Sequence, residues 1–260
     1  MKRLLDPEHV GCLAELALGR PLLAFDFDGT LAPIVTRRDR AKMRPRTARL
    51  LARLCTLFPC AVITGRSRAD VSERLGHVKV AYVVGNHGLE AGRRLPALER
   101  DVARAGAILG AALAGVPGLD LEDKRCSLAV HYRRARSKRA AREAIRRAAS
   151  TLPVRLRVVP GKLVVNLVPA GAPNKGDALA RVVRAARATN ALYVGDDVTD
   201  EDVFESATRG ARSAGRRTRW VTVRVGRSSR SAAQYCLRDQ HEIDTLLARL
   251  VELRSGDGRG

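Results

Sequence analysis

Apolar runs of four or five residues alternate with stretches of helical spacing through the first and last thirds of this 260-residue chain, and that alternation restricts the fold more than any other feature. Leu22 to Phe25, Ala61 to Thr64 and Val80 to Val84 read as strands, while Thr47 to Leu57 and Arg68 to Leu75 repeat apolar residues at i, i+3 and i+4. Strands separated by helices predict a parallel sheet, since parallel neighbours need a long crossover. The pattern resumes after residue 172 with a helix from Lys175 to Ala188, a strand Ala191 to Val194, a helix from Asp200, a strand Trp220 to Val225 and a helix Glu242 to Leu253. The middle is different. Leu95 to Leu113 and Lys138 to Leu152 are helical; Leu119 to Asp123 pairs with Ser127 to Tyr132 around Lys124 and Arg125, and Val154 to Val159 with Leu163 to Val168 around Pro160-Gly161. This α, β-β, α, β-β block predicts an α/β core at 1–91 and 172–260, with an α+β domain inserted at 92–171.

The strand ends carry the chemistry. Asp26-Phe27-Asp28-Gly29-Thr30 follows the run ending at Phe25, and residues two apart on extended chain point the same way, so two carboxylates are aimed at one spot beyond the strand. In an open α/β sheet that edge binds ligands. Gly29 lets the chain turn and brings backbone N–H groups close to an anion, and Thr30 adds a hydroxyl. The segment combines a nucleophile, a proton-transfer group and an anion cradle.

A second acidic cluster, Gly195 to Asp202, follows the strand ending at Val194 and falls on the same edge. Thr199 as a helix cap, with Asp200, Glu201 and Asp202 complementing the dipole, accounts for the last three acids. Asp196 and Asp197 precede that cap and would repel Asp26 without a cation between them. Oxygen ligands with no His or Cys nearby select a hard ion such as Mg²⁺. Thr64-Gly65-Arg66 ends another strand, with Ser67 as a cap, and Thr64 offers a second hydroxyl to an anion. Lys175 opens a helix against its dipole, which calls for a phosphate or an aspartate cluster in front of it.

Composition narrows the class. Five cysteines without a CxxC pair argue against zinc and disulfides, and they read as reduced, mostly buried side chains. Runs such as Ala107 to Val116 are too short to cross a bilayer, and Asp6, Glu8 and Glu15 occupy the stretch a signal peptide would keep apolar, so the expectation is a cytoplasmic protein without a membrane partner. The net charge of +21 admits a nucleic-acid role, but aromatics are only 3% of the chain, so stacking platforms are scarce and the Arg-rich segment Arg133 to Arg147 reads as a solvated face.

The four strand-end elements, in this order and with an insert between the second and third, resemble the haloacid dehalogenase superfamily of aspartate-nucleophile phosphatases. Gly85-Asn86-His87-Gly88-Leu89-Glu90, the segments Leu121 to Lys124 and Ala129 to Arg133, and Gly195 to Phe204 resemble, within it, the trehalose-6-phosphate phosphatase family. The resemblance implies a Rossmann-like hydrolase core with a mobile α+β cap. It implies Asp26 as nucleophile and Asp28 as acid and base, with Mg²⁺ on Asp26, the Asp28 carbonyl and Asp196. Thr30, Thr64 and Lys175 would hold phosphate, with Asp197 and Asp200 behind them. Sugar recognition is implied for Lys124, His131, Arg133, Lys162 and Asn166 on the cap, and for Arg66, Asn86 and His87 on the core. Asn166 departs from the pattern, standing where the family carries Glu; neutral hydrogen bonds are about half as strong as charge-assisted ones. That departure keeps open a phosphatase for another sugar phosphate, such as sucrose 6-phosphate or a glycosylated phosphoglycerate. A basic regulatory or nucleic-acid-binding protein on the same fold is the reading from a different class, and association with a trehalose-6-phosphate synthase is left open.

Overall fold

Three strands run almost wholly buried at the centre of the larger unit because helices cover both faces of their sheet. The structure, a computed structural model, describes residues 1–91, 96–161, 163–210 and 218–256. Its elements are β1 (Lys2–Arg3), α1 (Pro7–Ala17), β2 (Pro21–Phe25), α2 (Pro45–Leu57), β3 (Cys60–Ile63), α3 (Arg68–Leu75), β4 (Tyr82–Val84), α4 (Pro96–Leu113), β5 (Asp120–Asp123), β6 (Leu128–His131), α5 (Lys138–Ser150), β7 (Leu156–Gly161), β8 (Val164–Pro169), α6 (Lys175–Ala185), β9 (Asn190–Gly195), α7 (Glu201–Gly210), β10 (Arg219–Val225), β11 (Tyr235–Leu237) and α8 (Glu242–Gly256). The chain divides into two compact units, Met1–Gly88 with Asn174–Gly260, and Leu89–Pro173.

In the larger unit seven parallel strands run in the order β1-β11-β10-β9-β2-β3-β4. Ile243, Leu246, Leu247 and Leu250 of α8 recur at i, i+3, i+4 and i+7 and pack with α1, α2 and α3 against Leu23, Phe25, Val62, Leu192 and Val223. Each such side chain contributes about 1.5–3 kcal/mol when buried, so Leu247→Ala would cost about 2–5 kcal/mol. On α6 and α7 the matching residues are Leu179, Val183 and Phe204, and the Phe204 ring meets Tyr193 edge-on at 6.0 Å. From β2 the chain passes to β3 and β4 on one side and later fills β9, β10 and β11 on the other. The order therefore reverses between β2 and β9, and a crevice opens there at the carboxyl ends.

The smaller unit is a four-stranded antiparallel sheet, β5-β6-β8-β7. Leu128, Val130, Val165 and Leu167 point to one face and bury against Val102, Ala105 and Leu109 of α4 and Ala141 and Ile145 of α5. Residues directly opposite in the ladder share a face, so Glu122, Ala129 and Asn166, with His131 two residues along, lie on the other.

Several sequence expectations shift. Pro160 and Gly161 are paired residues of β7, opposite Val165 and Val164, so the turn falls later, where Leu163 sits at φ 62°. Thr199 lies inside a short 3₁₀ turn, Val198–Asp200, and does not cap; α7 begins at Glu201. α1, β1 and β11 were not anticipated, because two- and three-residue strands have no measurable period and α1 spreads its apolar residues around Gly11 and Cys12. Only Cys60 and Cys236 are buried; Cys12, Cys55 and Cys126 are half-buried at element edges. Among the described residues, no helix is long and apolar enough to cross a membrane.

Candidate active site

The carboxyl end of β2 delivers Asp26 into the crevice. Its N–H still bonds Val194 O of β9 at 2.8 Å, which fixes the backbone before the chain leaves the sheet. The side chain is 5% exposed, and its Oδ1 accepts from Lys175 Nζ at 2.8 Å. Lys175, the first residue of α6, is 3% exposed and donates equally to Asp200 Oδ1 at 2.8 Å. Its helix is started by Asn174, whose Oδ1 accepts from Asp177 N while Asp177 Oδ2 accepts from Asn174 N. The ammonium at the positive end of a helix is thus balanced by two aspartates.

Asp200 accepts hydrogen bonds from Lys175, from Tyr193 Oη at 2.7 Å and from Asp197 N at 2.9 Å. Tyr193 escaped the sequence reading; a hydroxyl inside a buried strand needs a partner, and that was the available signal. Burial, followed by the nearby Asp200 charge, pushes the Tyr193 hydroxyl well up, so it stays a donor. Burial also raises Asp26 well above the usual carboxylate range; Lys175 pulls it down, while Asp200 and Asp196 push it up again. For Lys175 burial works against the charge, but Asp200 and Asp26 outweigh it and the ammonium is held above the ordinary lysine value. Asp197 is raised, chiefly by burial.

Oxygens of Asp26, Asp196 and Asp200 come within 4.8 Å of one another, an oxygen-only set that can hold a metal ion and suits a hard cation. Asp196 reaches that place because Gly29, at φ +84°, has no Cβ: one built there would run into the Asp196 carboxylate. Asp200 is already engaged by three donors, which leaves Asp26 and Asp196 as the better ligands. Thr30 is fully buried, and its Oγ1 has no hydrogen-bond partner among the described residues. Gln240 Nε2 fixes the Thr30 carbonyl at 2.8 Å. An orphaned buried hydroxyl costs about 1–3 kcal/mol unless a ligand accepts from it, and the site is built to receive one.

Asp28 sits beside this cluster with its side chain 39% exposed and both oxygens taken by Arg66, Nε to Oδ2 at 2.6 Å and Nη2 to Oδ1 at 2.7 Å. Thr64, buried at the end of β3, accepts Arg66 N at 3.2 Å and bonds through its own N–H to Val84 O at 2.9 Å. Asn86 and His87 adopt left-handed φ values of 51° and 55°, sparsely populated for such residues. Their N–H groups bond Arg66 O at 2.7 Å and Thr64 O at 2.9 Å, and the His87 ring lies where a Cβ on Gly65 would be. Arg66, Thr64, Asn86 and His87 therefore form one patch of the larger unit.

In the smaller unit Lys124, buried, donates to Asn166 Oδ1 at 3.4 Å, and Asn166 Nδ2 reaches Val159 O at 3.5 Å. His131 Nε2 lies 2.8 Å from Glu122 Oε2. Arg133 is half-buried, and its carbonyl accepts from Lys138 Nζ at 2.9 Å. Lys162 lies outside the described residues.

A family model described as trehalose-phosphatase matches residues 24–241. A trehalose-phosphate phosphatase of Mycolicibacterium paratuberculosis is 36% identical over 213 residues, covering 75% of this chain and 53% of that protein. The chain thus spans about half the length of the relatives it matches. The C-terminal domain of the Candida albicans trehalose-6-phosphate phosphatase superposes with a TM-score of 0.78 at 23% identity, covering 96% and 98% of the two chains. The Aspergillus fumigatus trehalose-6-phosphate phosphatase gives a TM-score of 0.64 at 26% identity, covering 97% and 99%.

Proposed function

The chain belongs to the trehalose-phosphatase family, and on that footing we propose that it is a cytoplasmic phosphoric monoester hydrolase converting trehalose 6-phosphate to trehalose and phosphate in trehalose biosynthesis. The observation that carries the reading is the buried Asp26 carboxylate at the β2/β9 switch point, with Lys175 on one oxygen and the other left to react.

Asp26 attacks phosphorus, forming the aspartyl–phosphorus bond as the bond to the sugar oxygen breaks. Asp28, protonated on one oxygen that Arg66 yields, gives that proton to the departing oxygen. Water then attacks the phosphoryl group, Asp28 takes the water proton, and Asp26 is released with phosphate. Lys175 orients Asp26, while Thr30 and Thr64 offer donors to the phosphoryl oxygens. Asp200 and Tyr193 hold Lys175 in place, and Asp197, through its N–H, holds Asp200. Mg²⁺, with Asp26, Asp196 and the Asp28 carbonyl as the residues to hold it, supplies neutralisation of phosphoryl charge when bound. On the core, Arg66, Asn86 and His87 are the sugar-binding residues; on the smaller unit the family resemblance assigns that role to Lys124, His131, Arg133, Lys162 and Asn166.

A second reading, another sugar phosphate, is favoured by the neutral Asn166 beside Lys124. Phosphate release from trehalose 6-phosphate, sucrose 6-phosphate and glucosylated phosphoglycerate, with Mg²⁺ and with chelator, separates the two. The highest kcat/KM is expected for trehalose 6-phosphate, abolished by chelator and restored by Mg²⁺. A preference for either other substrate would replace the sugar assignment.

A further inference from the structure

Asp70 and Arg74 are i, i+4 neighbours on one face of α3, and Arg66, just before the Ser67 cap of that helix, reaches Asp70 from the N-terminal side. Arg66 presents Nε and Nη2 to Asp28, and its remaining nitrogen, Nη1, donates to Asp70 Oδ2 at 2.6 Å. Asp70 Oδ1 accepts from Arg74 Nε at 3.0 Å and Nη2 at 2.8 Å, and the Asp70 N–H is tied to Ser67 Oγ at 3.2 Å. Arg74 Nη1 is anchored in turn on the carbonyls of Asp39 at 3.1 Å and Ala41 at 2.9 Å. A chain of charge-assisted bonds thus runs from two backbone carbonyls to the carboxylate of Asp28.

The chain has a geometric consequence. Guanidinium is planar and rigid, so pinning Nη1 sets the plane in which Nε and Nη2 meet Asp28. Asp28 needs that support, since it sits on a loop with its side chain 39% exposed, whereas Asp26 is locked by burial and by Lys175. We infer that Asp70 and Arg74 are positioning residues for the reaction: by fixing the Arg66 plane they orient the Asp28 carboxyl, one oxygen staying on Arg66 while the other carries the proton to the departing oxygen. This inference rests on the reading of Asp28 as the general acid. The plainer account, an i, i+4 ion-pair ladder that only supports α3, predicts effects of a few tenths of a kcal/mol on stability and none on leaving-group selectivity.

The leaving group supplies the test. A poor leaving group needs the proton from Asp28 and 4-nitrophenolate does not, and kcat/KM reports the step in which the leaving group departs. In the full-length protein, Asp70→Asn is expected to lower kcat/KM about tenfold for trehalose 6-phosphate and phenyl phosphate, part of the 10²–10⁴ that general acids contribute. For 4-nitrophenyl phosphate it should stay within about twofold, which also certifies a folded enzyme. Arg74→Gln should show the same selectivity with a smaller loss. In an Asp28→Asn background, adding Asp70→Asn should change phenyl phosphate turnover by less than about twofold. Equal losses on all substrates, or none on any, would overturn the inference while Asp28→Asn alone remains leaving-group-selective. If Asp28→Asn is itself unselective, the acid assignment falls and this inference with it; the sugar assignment is read separately, from wild-type turnover of trehalose 6-phosphate.

Discussion

Replacing Lys175 by Met keeps the length of the side chain and removes an ammonium from between two buried carboxylates. Both contacts are 2.8 Å, and Lys175, Asp26 and Asp200 are each at most 5% exposed, so solvent cannot replace the lost partner. Removing one member of such a buried set costs about 3–5 kcal/mol. Proton uptake limits the loss: Asp26 is already raised by burial, Lys175 is what holds it down, and without it the carboxyl moves higher still. A carboxyl raised in the folded state costs stability above its folded pKa and none below its unfolded value. The deficit of the variant relative to wild type is therefore full at pH above the variant's Asp26 pKa and shrinks as pH falls toward the wild-type value, each unit of difference being worth about 1.4 kcal/mol. Trp220, the single tryptophan, lies in β10 and reports the larger unit alone. Thermal melts followed by its fluorescence, in chelator, should fall by roughly 10 °C near pH 7.5. The drop should narrow at acid pH. A melting point within about 2 °C of wild type at pH 7.5, or a deficit that widens on acidification, would refute the account of Lys175 as the counter-charge of the cluster.

Asp26→Asn should abolish phosphate release while melting no lower than wild type, because the amide removes a buried charge; retained turnover would show that another group attacks phosphorus. Gly29→Ala places a Cβ at φ +84° and against the Asp196 carboxylate; a loss of about 2 kcal/mol and a roughly tenfold rise in the Mg²⁺ needed for half-maximal activity are expected, by calorimetry and by metal titration. Asn166→Glu converts the 3.4 Å contact with Lys124 into a charge-assisted one; on the trehalose 6-phosphate reading its KM should fall severalfold with kcat little changed, and an unchanged or higher KM would count against a weakened sugar site.

Much of the fold was legible locally. Central parallel strands are buried on both faces, so β2, β3 and β9 had to be unbroken apolar runs, and α2, α5 and α8 announced themselves by spacing. The edge strands β1 and β11 were not legible, since two or three residues hold no period. The turn beyond β7 was misplaced because Pro160-Gly161 reads as a turn wherever it stands, and pairing to β8 decided otherwise. At the site, Asp26 and Asp196 could be named because each directly follows a strand. Tyr193, Asp70 and Arg74 could not, because their roles depend on which side chain meets them in space.

The amino-acid sequence by itself determined the alternating α/β core, the inserted block and the identity of the carboxylates at the strand ends, because those depend on short-range periodicity and on residue type. Only the tertiary structure decided which groups act together. Lys175 and Asp26 are 149 positions apart and meet because β2 and β9 are neighbours at the point where strand order reverses. Asp200 turned inward to Lys175 and Tyr193 instead of merely facing a helix dipole, and Arg66 was committed to Asp28 and Asp70. A buried charge must find its partner wherever the chain's path puts one, and that path is a property of the whole sheet.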